Sequence, residues 1–152
     1  MHDNHAPHSL NKTAASATLH CLTGCAIGEV AGMIISTALA WSAAPSIGIS
    51  IVLAFVCGYG LSMLPLLRFG LGLKKALGLA LAADTASIAV MELADNAFIL
   101  AIPNAIHAGL TSVLFWASLG TSLVVAFAVA FPLNRFLIAR GKGHAVVHEY
   151  HH

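Results

Sequence analysis

Acidic side chains stand inside the apolar stretches of this sequence. Asp and Glu number only six in 152 residues, and four of them lie within long hydrophobic runs: Glu29, Asp84, Glu92 and Asp95. An ionised side chain at the centre of a membrane helix costs about 2.5 to 3.5 kcal/mol on insertion scales. We therefore expect these carboxyl groups to face one another, water or a bound cation.

Three of these carboxyls follow the spacing of a single helical face. Asp84, Ile88, Met91, Glu92 and Asp95 are separated in the i, i+4, i+7 pattern that brings side chains onto one side of a helix. No Lys or Arg lies deep enough in these segments to pair with them. The pattern predicts an internal proton or cation pathway through Asp84, Glu92 and Asp95.

Two further observations refine this pathway. Met33 and Met91 would line it, and matching depths from the chain's basic ends predicts that Asp84 lies near Cys25. The alternative is that the carboxyls are protonated and only hydrogen-bonded to neighbouring polar groups. The candidate partners are Thr85, Ser87, Asn96, Ser118, Thr121 and Ser122. Both interpretations stay open, because protonated carboxyls also suit proton movement.

A second set of donors lies on the first apolar segment. Cys21, Cys25, Glu29 and Met33 are spaced by four residues, next to His20. Imidazole, thiolate and carboxylate groups bind transition metals, and sulfur ligands favour Cu(I) or Zn. We predict a metal site built from six residues: His20, Cys21, Cys25, Glu29, Asp84 and Glu92. The alternative is that the cysteines pack as small hydrophobic residues.

Most of the nine histidines lie near the two ends of the chain. The set consists of His2, His5, His8, His144, His148, His151 and His152. Spacings of three and four residues can gather imidazoles around a metal ion when the segment is helical or flexible. We expect these residues to capture metal, whereas a merely solvated tail is the alternative.

The composition indicates that lipid surrounds the elements carrying these residues. The chain is 59% hydrophobic and 9% charged, with a mean hydropathy of +0.87, which is too apolar to cover a soluble globule. Four apolar segments span about residues 18–41, 47–67, 74–102 and 113–139. The expected fold is an all-α, polytopic membrane protein with an antiparallel bundle of four transmembrane helices. Residues 18–140 form its membrane domain, and residues 1–17 and 141–152 form histidine-containing tails.

The basic residues predict one orientation of the bundle. They precede the first span, separate the second from the third and follow the fourth: Lys12, Arg68, Lys74, Lys75, Arg135, Arg140 and Lys142. The connections near residues 42–46 and 103–112 carry neither Lys nor Arg. The positive-inside rule then predicts a multi-pass protein of the bacterial inner (cytoplasmic) membrane, with both termini in the cytoplasm.

Several function classes receive no support from the sequence. A net charge of +1 with scattered basic residues is not typical of a nucleic-acid-binding surface. Haem and nucleotide cofactors are not expected, since only His20 lies near a span and no Gly-rich nucleotide motif occurs. We do not expect an enzyme.

Gly24, Gly28 and Gly32 recur at every fourth position of the first apolar segment and indicate a smooth stripe for close helix packing.

Three blocks of sequence resemble a known family. They are residues 19–29 (LHCLTGCAIGE), residues 82–92 (AADTASIAVME), and residues 131–135 with 140–144 (FPLNR and RGKGH). The chain resembles, over about residues 19–148, the bacterial membrane family called domain of unknown function 4396. The resemblance implies a small multi-span membrane protein and implies no substrate or reaction.

Three hypotheses follow for the function. The first is a membrane protein that binds and transports or conducts a transition metal cation, with Cu or Zn favoured. The second is a proton or cation pathway built on the carboxyl column. The third is a membrane subunit or scaffold that transports nothing and whose polar residues bind a partner helix. The sequence leaves open whether the chain forms a homo-oligomer.

Overall fold

Four long helices pack side by side in the structure, a computed structural model that describes residues 7–68 and 70–141. They are α1 (Pro7–Ala38), α2 (Ala43–Arg68), α3 (Leu73–Ala101) and α4 (Val113–Ala139). A short 3-10 turn, Ala105–His107, lies between α3 and α4. The prediction of an all-α four-helix bundle is confirmed.

Each helix is long and apolar enough to cross a membrane. The shortest, α2, has 26 residues and is therefore roughly 39 Å long at 1.5 Å per residue, more than the hydrocarbon thickness of a bilayer. Large apolar side chains point away from the bundle, as shown by Leu93 and Val124, which are 74% and 68% exposed. These features are those of a multi-pass membrane protein, in which lipid covers the apolar outer surface.

The two ends of the bundle differ in charge. We call the end where α1 begins and α4 finishes the terminal end, and the opposite end, which carries the α1–α2 and α3–α4 connections, the loop end. The α2–α3 connection also lies at the terminal end. All Lys and Arg residues of the described chain lie at or near the terminal end: Lys12, Arg68, Lys74, Lys75, Arg135 and Arg140.

Helix α1 begins well before the predicted first span. Pro7 opens the helix, a position that suits proline because its missing N–H has no intrahelical partner there. Ala14 is fully buried, and Asn11 Oδ1 accepts a hydrogen bond of 2.6 Å from Arg135 Nε of α4. Helix α1 thus includes residues 7–17, which the sequence analysis assigned to the N-terminal tail. His8 falls in this first turn, and the other tail histidines lie outside the described residues.

Close contact between α1 and α2 depends on the predicted glycine stripe. A Cβ added to Gly24 would lie 2.7 Å from the Cα of Gly58, and one added to Gly28 would overlap the backbone of Ala54. A Cβ on Gly32 would likewise meet Ser50. The stripe therefore lets the two backbones approach closely, as small residues do between membrane helices, and the packing role predicted for it is confirmed.

Candidate functional site

The acidic face of α3 points into the bundle. Asp84, Glu92 and Asp95 are 0%, 4% and 2% exposed, and Ile88 and Met91 of the same face are fully buried. Glu29 of α1 is also buried, at 8% exposed. These carboxyl groups therefore lie inside the bundle, three of them on the helical face of α3 that the sequence indicated.

Three of these side chains form what we call the carboxyl cluster: Glu29, Glu92 and Asp95. The carboxyl groups of Glu29 and Asp95 lie close enough to share a hydrogen bond. Such a bond requires one of the two to be protonated, because an ionised carboxylate has no hydrogen to donate. Glu92 is near enough to interact electrostatically with both of them. Its Oε2 accepts a 3.4 Å hydrogen bond from Asn96 Nδ2.

The carboxyl cluster has more acceptor oxygens than donors. No amide or hydroxyl group of the described residues donates to either oxygen of Glu29, to Oε1 of Glu92 or to Oδ1 of Asp95. Leaving buried oxygens of this kind without donors costs about 1 to 3 kcal/mol each, more when they are charged. The cluster is therefore suited to take up protons, water or a cation.

A pocket at the loop end reaches the carboxyl cluster. Glu29, Met33, Ser50, Asp95 and Ser118 are among the residues that line it. Its volume is about 70 Å³, which suffices for a few water molecules, since one water needs roughly 10 to 15 Å³ of space for its centre. Water can therefore approach the cluster from the loop end, past Met33, which the sequence analysis placed on this path.

A second group, which we call the Asp84 cluster, lies deeper in the bundle and contains His20, Cys21, Ser62 and Asp84. Cys21 Sγ donates to Asp84 Oδ1 at 3.6 Å, and the Ser62 side chain lies beside Asp84. His20 Nε2 lies 3.1 Å from Ser62 Oγ. The cluster joins α1, α2 and α3 through polar side chains.

Apolar side chains separate the two clusters along α3. Eight residues divide Asp84 from Glu92, a rise of roughly 12 Å along the helix. Ile88 and Met91 fill this interval and pack with Cys21, Cys25 and Ala126 in one buried group. We call Ile88, Met91 and Ala126 the apolar plug. The two cysteines are the polarisable groups at its side, and the Cys25 thiol lies beside the carboxyl group of Glu92.

Asn134 of α4 connects three helices next to the Asp84 cluster. Its Nδ2 donates to Thr18 Oγ1 at 2.9 Å and to Ser87 Oγ at 3.0 Å, and the side chain is 2% exposed. Ser87 in turn lies beside the thiol of Cys21. Asn134 therefore fixes α4 against the helices that carry the candidate site.

Removing this amide should destabilise the bundle. We expect Asn134→Leu to lower the free energy of unfolding by about 1 to 3 kcal/mol, because Thr18 and Ser87 would lose a buried donor. Thermal unfolding of the purified protein in detergent would measure the change. Thr121→Val is the control: the Thr121 hydroxyl is exposed and bonds only to Ala117 O of its own helix, so the expected change is within about 0.5 kcal/mol. Equal stability of the two variants would contradict the connecting role of Asn134.

The relative depth predicted for the cysteines is wrong by one helical turn. Asp84 contacts Cys21, whereas Cys25 contacts Glu92. Depth counted from the basic residues assumed that α1 enters the membrane near residue 18. The helix instead starts at Pro7 and packs against α4 over its first turns, which shifts its register against α3.

The six predicted metal donors are distributed over both clusters. Within residues 7–68 and 70–141, no three His, Cys, Asp or Glu side chains are arranged to hold a metal ion. The physical reason is their spacing: Cys21, Cys25 and Glu29 are one turn apart on α1, so each meets a different partner. The structure thus brings the donors together as pairs, Cys21 with Asp84 and Cys25 with Glu92.

Most of the side chains that were predicted as alternative hydrogen-bond partners of the carboxyl groups bond elsewhere. Asn96 does bond to Glu92. Thr85, however, bonds to Tyr59 and to Leu81 O, and Thr121 and Ser122 bond to carbonyls of their own helix. Ser62 was missed by the sequence analysis. Its signal was the spacing of Ala54, Gly58, Ser62 and Leu66, which places a hydroxyl on the buried face of α2.

Comparison with known proteins identifies the family. The family model described as "Domain of unknown function (DUF4396)" matches residues 10–143. No curated protein and no solved structure matches the chain. The match covers all four helices from the second turn of α1 onward, including both clusters. The chain therefore belongs to the DUF4396 family.

Proposed function

We propose that this protein moves protons across a membrane along its buried carboxyl column. The observation that carries the proposal is the carboxyl cluster, in which Glu29 and Asp95 line a pocket and all three carboxyl groups hold oxygens that lack donors. Groups of this kind are costly within a membrane and are typical of proton relays in pumps and transporters. A purely structural cluster would have been matched by donor groups.

Protons suit this interior better than a hydrated ion does. The apolar plug fills most of the roughly 12 Å between the two clusters along α3, with the Ser87 hydroxyl and the thiols of Cys21 and Cys25 beside it. A proton needs only a transient file of water or side-chain hydrogen bonds across such a gap. A metal or alkali cation would need coordinating oxygens or sulfurs throughout. The plug would therefore act as the barrier that opens during transport.

The orientation predicted from the basic residues indicates which side of the membrane each cluster faces. Lys and Arg residues of the described chain cluster at the terminal end, and the positive-inside rule assigns such an end to the cytoplasm. The pocket and carboxyl cluster would then face the outside, and the Asp84 cluster would lie nearer the cytoplasm. We propose this arrangement for a bacterial inner membrane.

A transition metal is the second candidate cargo, and one observation favours it. Each intramembrane thiol of α1 touches a carboxyl group, Cys21 beside Asp84 and Cys25 beside Glu92. Thiolate and carboxylate together can bind Zn, whereas Cu(I) prefers sulfur. Two donors at each position do not complete a coordination shell, so a metal would need a rearranged bundle or the tail histidines.

Removing both thiols should distinguish between a proton and a transition metal as the transported species. We expect Cys21→Ser combined with Cys25→Ser to retain the proton flux of the wild type within about threefold, since the hydroxyls can still donate to Asp84 and Glu92. Flux would be followed with a pH-sensitive dye inside proteoliposomes, and bound Cu and Zn by mass spectrometry of the purified protein.

The outcome of this experiment decides between the candidates. Stoichiometric metal in the wild type that disappears in the double variant, together with loss of transport, would contradict the proton proposal. Cys57→Ser is the matched control, because this third cysteine lies on α2 and is only partly buried. It should leave both readouts unchanged.

A further inference from the structure

Three side chains from three helices lie next to one another in the Asp84 cluster. His20 Nε2 of α1 and Ser62 Oγ of α2 are 3.1 Å apart, and the Ser62 side chain lies beside the carboxyl group of Asp84 on α3, within reach of a hydrogen bond. Ser62 is 3% exposed and Asp84 is completely buried, whereas His20 is partly exposed. The three side chains therefore link a half-buried group to one that is completely buried.

Ser62 is placed to pass on a proton rather than merely to bond. Its hydroxyl has one hydrogen and two acceptor lone pairs, so it can donate to one neighbour while accepting from the other. When Asp84 is ionised, Ser62 donates to the carboxylate and accepts from His20 Nε2–H. When Asp84 is protonated, the order reverses, with Asp84 donating to Ser62 and Ser62 donating to the Nε2 lone pair.

We propose that His20, Ser62 and Asp84 form a proton relay connecting the terminal end of the bundle to the buried carboxyl column. In one transfer, the imidazolium N–H of His20 gives its proton to Ser62 Oγ as the Ser62 O–H proton passes to Asp84. The N–H and O–H bonds that break are replaced by one Ser62 O–H bond and one Asp84 O–H bond. His20 becomes neutral, Asp84 becomes a neutral acid, and Ser62 is unchanged.

The position of the relay suits exchange with the terminal end. Ser62 stands six residues before Arg68, the last residue of α2, which is roughly 9 Å along the helix. Imidazole is the side chain whose ordinary titration falls between pH 5 and 8, and this is the chemistry that a proton donor and acceptor at this position requires. The other titratable groups at the relay are Asp84 of α3 and Cys21 of α1. Ser62 of α2 and Asn134 of α4 carry no charge.

This inference rests on the proposed proton function. It adds the site where protons enter or leave the carboxyl column at the terminal end of the bundle. A relay and a purely structural role predict different effects of conservative substitutions on proton flux. A hydroxyl at position 62 is required for transfer, whereas any group of similar volume would serve for packing. An imidazole at position 20 is likewise required, because an amide can donate a hydrogen bond but cannot take up and release a proton at neutral pH.

The test is proton flux through the full chain in proteoliposomes, measured over pH 5 to 8 on the terminal-end side. We expect Ser62→Ala to lower the flux about tenfold or more, in line with the usual effect of losing a positioned proton-transfer group. Ser62→Thr is the matched control and should keep the flux within about threefold, because it retains the hydroxyl. His20→Gln should lower the flux similarly and flatten its dependence on pH.

The outcomes separate the relay from the broader function. If the wild type conducts protons and both Ser62→Ala and His20→Gln show the same flux and pH dependence as the wild type, the relay is overturned. The carboxyl pathway would still stand. Absence of flux in the wild type would overturn both. If Ser62→Ala does not fold, His20→Gln decides alone: a wild-type pH profile in this variant overturns the relay, and a flattened one supports it.

Discussion

Replacing Glu29 with Gln should reduce proton flux through the reconstituted protein by about tenfold or more, the usual effect of removing a group that binds the transferred proton. Glu29 and Asp95 lie close enough to share one proton, and no other side chain of the described chain donates to Glu29. The amide keeps the size of the side chain and removes its ability to bind and release that proton. Dye-reported acidification of liposomes under a fixed membrane potential would measure the loss.

Asp95 provides the matched pair for this experiment. Asp95→Asn should reduce the flux as strongly as Glu29→Gln, whereas Asp95→Glu keeps a carboxyl group and should restore a substantial part of it. Met33→Leu serves as a second control, since it preserves the apolar lining of the same pocket. Wild-type flux in both amide variants would show that the carboxyl cluster is not on the path.

Gly28→Ala should lower the stability of the bundle by about 1 to 3 kcal/mol, the range found when atoms are forced into a well-packed interior. The added Cβ would overlap the backbone N and Cα of Ala54. Backbone atoms cannot move aside as the end of a flexible side chain can, so α1 and α2 must separate. Thermal unfolding in detergent should show a midpoint lower by roughly 5 °C for a chain of this size.

Gly60→Ala is the control for this change, because no atom lies within 4 Å of the Cβ it would add. Alanine favours the helix over glycine by up to about 1 kcal/mol, so this variant should be as stable as the wild type or slightly more so. The two substitutions are chemically identical and should differ in sign. A Gly28→Ala protein as stable as Gly60→Ala would contradict the close contact of α1 with α2.

Much of the fold can be predicted from the sequence because each helix carries its own signals. The fourth span was predicted at residues 113–139 and observed as Val113–Ala139, and the third differs by one residue at each end. Long apolar stretches bounded by Pro, Gly and basic residues determine these limits locally. The inward face of α3 was also predictable, because helical periodicity places Asp84, Glu92 and Asp95 together whatever surrounds them.

The contacts between helices could not be predicted in the same way. Whether Asp84 meets Cys21 or Cys25 depends on the vertical shift of α1 against α3, and a hydrophobicity pattern sets that shift only to within about a turn. The start of α1 adds to the error, since Asn11 and Thr18 are polar yet pack against α4 through Arg135 and Asn134. Ser62 was missed for a related reason. Its importance comes from its neighbours on α1 and α3.

Proton flux of the unmodified protein tests the central claim most directly. The protein would be reconstituted into liposomes carrying an internal pH dye, and a potassium diffusion potential, negative inside, would drive protons inward. The account predicts acidification that exceeds that of protein-free liposomes and that is lost in Glu29→Gln. Flux equal to that of protein-free liposomes, from protein shown to be folded and inserted, would contradict it and favour a membrane subunit that transports nothing.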